Sequence, residues 1–213
     1  MSKENKESID RQNNSDSTES KDKSKVIVVI GASTGGPKAL SKLLNKIPTG
    51  LNASYLIVQH LPTGFAKTLA NRLDSLSPLT VKEAEHGELI KADYAYVAPG
   101  DFHMEVVPIK DELYISLNQS PSLNGVRPSV DVLLFSVAKV NYPKVGVIMT
   151  GMGSDGAEGM LAFKKAGSIN IGESAETCAV YGMSKASAKL GAIDYEVPLH
   201  KIAHYIIQAL NKC

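Results

Sequence analysis

The stretch VIVVIGASTGGPKAL, residues 26–40, decides how this chain is read. Five apolar residues, all β-branched, run from Val26 to Ile30 into a glycine-rich turn. Such a run suits a strand buried on both faces, as strands of a parallel sheet are. Pro37 suits the first turn of a helix, where its missing N–H costs nothing. Leu40, Leu43, Leu44 and Ile47 then recur at helical spacing over 36–47. The unit is strand, tight turn, helix. Its turn fits two chemistries. It can cradle the phosphates of a dinucleotide on backbone N–H groups. It can instead present Ser33, with Thr34 beside it, as a nucleophile.

Working outward, the pattern repeats. SYLIVQ (54–59), KVGVIMT (144–150) and SINIG (168–172) are further buried-type strands. Helical patterns cover 64–75, 130–140, 156–167 (ended by Gly167) and 198–212. Three short runs, YAYVA (94–98), HMEVV (103–107) and LYISL (113–117), are expected to form a small antiparallel insertion. Strand and helix alternating with short links predicts an α/β domain over 25–213, a doubly wound, mostly parallel, Rossmann-like sheet. Residues 1–24 hold one large apolar residue after the first Met, Ile9. A segment so polar cannot offset its ordering entropy by burial and is expected to be a disordered tail.

Composition excludes several classes. The chain has 213 residues, 43% apolar and 21% charged, with net charge +1. Neither nucleic acid nor an anionic membrane is expected as a partner at that charge. No apolar run approaches the roughly 20 residues of a membrane span, and residues 1–24 lack the apolar stretch of a signal peptide. The cysteines, Cys178 and Cys213, give neither a disulfide framework nor a metal-ligand spacing. A cytoplasmic protein without a metal is expected.

Ligands on doubly wound sheets bind beyond the carboxyl ends of the strands. The first strand delivers Ser33 there, SYLIVQ delivers His60, and KVGVIMT runs through GMGSDG to Asp155. A hydroxyl, an imidazole and a carboxylate are what nucleophilic acyl transfer needs. An ordinary imidazole titrates near pH 6.5 and so serves as a base near neutrality. A carboxylate behind it would fix its tautomer, and N–H groups at the mouth of the first helix are aimed to meet an oxyanion. Each residue alone has an ordinary reading: Ser33 as a cap, His60 as a structural histidine, Asp155 as a turn residue or N-cap. His103 is the second candidate for base. His86, His200 and His204 read as surface positions, and Cys178 has no base beside it. Arg72 and Arg127 suit either an acidic partner surface or local salt bridges.

Six stretches together, IGASTGGPKAL, IVQHLPTGF, YVAPGDFHMEV, RPSVDVLLFSVA, TGMGSDGAEGM and YGMSKASAKLGAID, resemble the catalytic domain of the chemotaxis protein-glutamate methylesterases, the CheB type. They lie in the family's order over 30–194. The resemblance implies a doubly wound fold with a small antiparallel element and no cofactor. It implies hydrolysis of γ-glutamyl methyl esters on chemoreceptors with release of methanol, and deamidation of receptor glutamines. It also implies Ser33 as nucleophile, His60 as base and Asp155 as acid, a substrate hydrogen bond from Thr34, and a backbone oxyanion donor at Met152. A monomer suits the family. Many members carry an N-terminal receiver domain whose phosphorylation relieves inhibition. Residues 1–24 stand in that place, so constitutive activity or control by a separate regulatory protein is expected. Val126 stands where the resemblance leads one to expect His or another polar residue.

Two rivals remain. GASTGG with Tyr181 and Lys185 at Y-x-x-x-K spacing fits an NAD(P)-dependent short-chain dehydrogenase. Pro37 would then replace the third glycine of the dinucleotide turn, and that reading leaves GMGSDG unexplained. The other rival is a binding module of the same fold without the chemistry.

Overall fold

The computed structural model describes residues 26–212; the polar segment 1–24, Lys25 and Cys213 lie outside them. A seven-stranded, wholly parallel sheet forms the centre, and a separate two-stranded antiparallel hairpin lies apart from it. In chain order the elements are β1 (Val26–Ala32), α1 (Gly36–Leu44), β2 (Ala53–Gln59), α2 (Ala66–Asp74), β3 (Thr80–Glu83) and β4 (Tyr94–Val97). The hairpin is β5 (His103–Ile109) with β6 (Glu112–Asn118). Then come α3 (Val130–Ala138), β7 (Lys144–Ile148), α4 (Ala157–Lys165), β8 (Ile169–Glu173), α5 (Met183–Lys189), β9 (Tyr195–Val197) and α6 (Leu199–Leu210). The strand order is β3-β4-β2-β1-β7-β8-β9.

β1 shows why the sheet is covered on both sides. Val26, Val28, Ile30 and Ala32 join one core with Leu40 and Leu43 of α1, Leu69 and Leu73 of α2, and Ile202 and Ile206 of α6. Ile27 and Val29 join the other with Leu133 and Val137 of α3, Met160 and Phe163 of α4, and Met104 and Ile115 of the hairpin. Each of the larger side chains among them (Val, Leu, Ile, Met, Phe), fully buried, contributes about 1.5–3 kcal/mol. That two-sided demand is why β1, β2 and β7 are buried at every position.

One expectation is corrected. Residues 94–98 do not belong to the antiparallel insertion: β4 pairs parallel with both β2 and β3 inside the main sheet. Four residues are too few to reveal direction. Their two-sided burial, with Ala95 and Val97 in one core and Tyr96 in the other, marks an interior strand. Strands β3 and β9 were not expected. They are short edge strands carrying Lys82, Glu83 and Glu196, and charge of that kind protects a sheet edge while erasing its apolar signal.

Candidate active site

Register brings the first two candidate residues together. β1 and β2 pair with Ala32 opposite Gln59, so Ser33 and His60 leave the sheet side by side. The His60 N–H donates to the Ala32 carbonyl at 3.2 Å, which carries the pairing one step past the strands. On the other flank of β1, the Met149 N–H reaches the Gly31 carbonyl at 2.9 Å and the Ser33 N–H reaches the Thr150 carbonyl at 3.0 Å. The chain passes from β1 to β2 on one side and returns to β7 on the other. The three carboxyl ends therefore meet where the winding reverses, the place where such sheets open a crevice.

Ser33 is half-buried and Thr34 exposed. Gly35 turns the chain at φ 85°, and α1 begins without a side-chain cap. Among the described residues the N–H groups of Thr34 and Gly35 have no hydrogen-bond acceptor, as expected at a helix mouth. Across the crevice, Gly151 lets the next turn approach. A Cβ there would lie 2.8 Å from the Ser33 Cβ and 2.2 Å from the Met183 sulfur. That turn is clamped at Gly151, whose N–H donates to the Val180 carbonyl and whose carbonyl accepts from Gly182 and Met183, each at 3.0–3.1 Å. The following Met152 is 75% exposed, and its N–H has no acceptor among the described residues.

The His60 Nε2 lies 2.8 Å from Oδ2 of Asp155, with the imidazole 15% and the carboxylate 4% exposed. Asp155 also accepts from the Ser129 hydroxyl at 2.6 Å and the N–H groups of Val130 at 2.7 Å and Asp131 at 3.2 Å. Burial works to raise the Asp155 carboxyl, but the bonds from His60, Ser129 and Val130 outweigh it and hold it below its ordinary range. An ionised carboxylate accepts only. The His60 Nε2 therefore carries the proton toward Asp155, and Nδ1 is the nitrogen left for a substrate or nucleophile. Among the described residues the Ser33 hydroxyl and His60 are adjacent by register but not hydrogen bonded.

Other candidates have different duties. His103 is buried; its Nδ1 accepts from the Ser129 N–H and its Nε2 donates to the Pro121 carbonyl, both at 3.2 Å. With both nitrogens engaged it supports Ser129 and is not free to act as a base. Arg127 holds Asp101 through Nε at 3.1 Å and Nη2 at 2.5 Å and the carbonyls of Gln119 and Ser120 through Nη1, so its donors serve the local loop. Arg72 is exposed. Burial first, and then the charge of Glu173, push the Cys178 thiol up to about 12, which makes it unreactive. Tyr181 gives its hydroxyl to Glu196 while Lys185 is exposed, so the Y-x-x-x-K pair forms no shared centre. Among the described residues no cluster of His, Cys, Asp and Glu fits a metal ion, and no helix is long and apolar enough to cross a membrane.

Residue-by-residue reading missed Gln59. Its side-chain N–H₂ donates to the carbonyls of both Ser33 and His60, each at 3.0 Å. A polar residue closing an otherwise apolar strand was the available signal. Ser129 and Asp131 were also passed over, although a serine before an apolar helical run marks an N-cap.

The CheB methylesterase family model matches residues 28–206. The protein-glutamate methylesterase/protein-glutamine glutaminase of Oceanobacillus iheyensis is 48% identical over 188 residues, covering 87% of this chain and 53% of that protein. The protein of the same name from Pyrococcus horikoshii is 46% identical over 188 residues, covering 88% and 51%. The crystal structure of the Thermotoga maritima CheB methylesterase catalytic domain superposes with a TM-score of 0.83 at 44% identity, covering 85% of this chain and 97% of that one. The chain spans about half the length of the curated relatives it matches. With a family match running from β1 into α6 and a solved catalytic domain of the same fold, the chain belongs to the CheB methylesterase family.

Proposed function

We propose that this domain is a serine esterase that hydrolyses glutamate γ-methyl esters on chemoreceptors, and that it deamidates receptor glutamines by the same route. The observation that carries this is the His60–Asp155 contact of 2.8 Å, made at the strand end beside Ser33. Ser33 Oγ attacks the ester carbonyl while His60 Nδ1 takes its proton. Asp155 holds the ring through Nε2–H and stabilises the imidazolium. The oxyanion forms against N–H groups at the helix mouth and the N–H of Met152, and Thr34 offers a further bond to the bound substrate. Imidazolium then protonates the leaving methoxide, and methanol departs. Water, deprotonated by His60, cleaves the acyl-serine to give glutamate and restore the hydroxyl. With a glutamine, ammonia leaves in place of methanol.

The domain acts as a monomer in the cytoplasm, where receptor signalling helices are accessible. Methanol release from methylated receptor tests the reading. Ser33→Ala is expected to lose about 10⁴-fold or more in kcat while remaining folded. Near-normal turnover in that variant would end the proposal.

A further inference from the structure

Helices α3 and α4 cap one another. Gly156 precedes α4 at φ 92° and has no side chain with which to cap it. Asp131, in the first turn of α3, supplies that cap from outside: its Oδ1 accepts the Gly159 N–H at 2.7 Å, and the Gly156 N–H also faces its carboxyl. Asp155, just before α4, accepts the first two N–H groups of α3, those of Val130 and Asp131. Each helix thus begins on a carboxylate borrowed from the other. Both carboxylates are buried, Asp131 at 1% exposure and Asp155 at 4%. Gly159 makes the exchange sterically possible, since a Cβ there would meet the Asp131 Cα at 3.0 Å and the Leu134 Cβ at 2.8 Å. Asn124 closes the far side with a 3.3 Å bond to Oδ2 of Asp131.

A structural acid has a cheaper place than 1% exposure beside a second carboxylate. Burial lifts the Asp131 carboxyl above its ordinary range against the N–H bonds it accepts, and the charge of Asp155 adds to the lift. The exchanged bonds tie the starts of α3 and α4 to each other. That tie decides where Asp155 points, as three of its four donors (Ser129, Val130 and Asp131) belong to the start of α3 and the fourth is His60.

We propose that Asp131 is a positioning residue: the exchange of helix caps between Asp131 and Asp155 holds Asp155 in the orientation that meets the His60 Nε2. This rests on Asp155 being the carboxylate behind His60. Asp131 itself touches neither substrate nor His60; it acts through the geometry of Asp155.

The test pairs a spectroscopic readout with kinetics. In the full chain, the His60 Nε2–H proton bonded to Asp155 gives a low-field proton resonance. Asp131→Ala is expected to abolish or broaden it. Asp131→Asn keeps an acceptor for the Gly159 N–H and is expected to retain it. In the methanol-release assay, Asp131→Ala should lower kcat about tenfold or more with KM little changed, as a displaced orienting group does. Combined with Asp155→Ala, the same substitution should cost less than about twofold, because nothing remains to be positioned. General destabilisation would instead lower activity by the same factor in both backgrounds. That outcome overturns the proposal, as does an unchanged resonance in Asp131→Ala or an Asp131→Asn no better than the alanine. If Asp131→Ala does not fold, Gly159→Ala attacks the same contact from α4 and is held to the same outcomes. A wild-type chain with no methanol release would sink the esterase reading, while the resonance would still decide the role of Asp131.

Discussion

Gln59 offers the sharpest test of the site's construction. Its side chain is 2% exposed, and both of its amide hydrogens are used, one on the Ser33 carbonyl and one on the His60 carbonyl. Its oxygen is buried, has no hydrogen-bond partner among the described residues, and lies 1.8 Å from where a Cβ on Gly36 would stand. The Ser33 carbonyl has a second donor, the Gly36 N–H at 2.8 Å, whereas among the described residues the His60 carbonyl has Gln59 alone. Gln59→Met therefore orphans one carbonyl, at about 1–3 kcal/mol, and relieves an orphaned oxygen of similar cost, so the net loss of stability is small. Gln59→Glu differs by one group and behaves otherwise. An ionised carboxylate there would face two carbonyl oxygens with no donor, so the folded state keeps the acid protonated. Holding it neutral at pH 7.5 against an ordinary value near 4.3 costs about 4 kcal/mol, roughly three units at about 1.4 kcal/mol each. The sign follows from linkage. The folded value is raised, so stability is fully present below about pH 4 and falls as pH rises. Urea unfolding at pH 5 and pH 7.5 reads this as a shift in midpoint. Glu and Met variants should lie within about 1.5 kcal/mol of each other at pH 5 and separate by about 3–4 at pH 7.5. A Glu variant as stable as wild type at pH 7.5 would refute the bridge. In the Met variant kcat should fall by about tenfold or more, since the turns carrying Ser33 and His60 lose their common tie.

Other consequences are open to measurement. If the Met152 N–H is the oxyanion donor proposed above, Met152→Ala should leave kcat within about threefold, because that N–H is retained, whereas Met152→Pro should lower it by about 10²–10³-fold. His103→Leu leaves the Ser129 N–H without its acceptor and should reduce unfolding stability by about 1–3 kcal/mol, a loss seen in the urea midpoint, while turnover continues. Asp155 is held below its ordinary range against its own burial, so it contributes stability above about pH 4 that is lost on acidification; Asp155→Asn should flatten that acid limb. Asp131 is displaced the other way by burial, so its contribution declines as pH rises from about 4, and Asp131→Asn should remove that decline from the stability profile.

The two-state alternation of strand and helix was legible because burial on both faces leaves a plain mark: VIVVI and SYLIVQ have no room for a solvent-facing residue. The candidate residues were legible for a related reason, since a parallel sheet gathers its strand ends and Ser33, His60 and Asp155 each follow one. What stayed hidden was pairing between distant segments. Nothing local distinguishes β4 from a hairpin strand, because direction is set by its partners β2 and β3. Asp131 reads alone as a first-turn acid of α3, a common surface device. Only the contact of α3 with α4 turns it inward to the Gly159 N–H. The turn GASTGG is likewise held by distant segments. A phosphate cradle would need only the turn and its helix. Here the turn is tied to β2 through Gln59 and to the segment after β7 twice, through the Thr150 carbonyl and through Thr150 Oγ1, which donates to the Thr34 carbonyl. These three bonds fix the backbone of Ser33 and Thr34 against the strand ends on either side. A backbone so held keeps Ser33 beside His60, an arrangement the proposed esterase needs and a phosphate cradle does not.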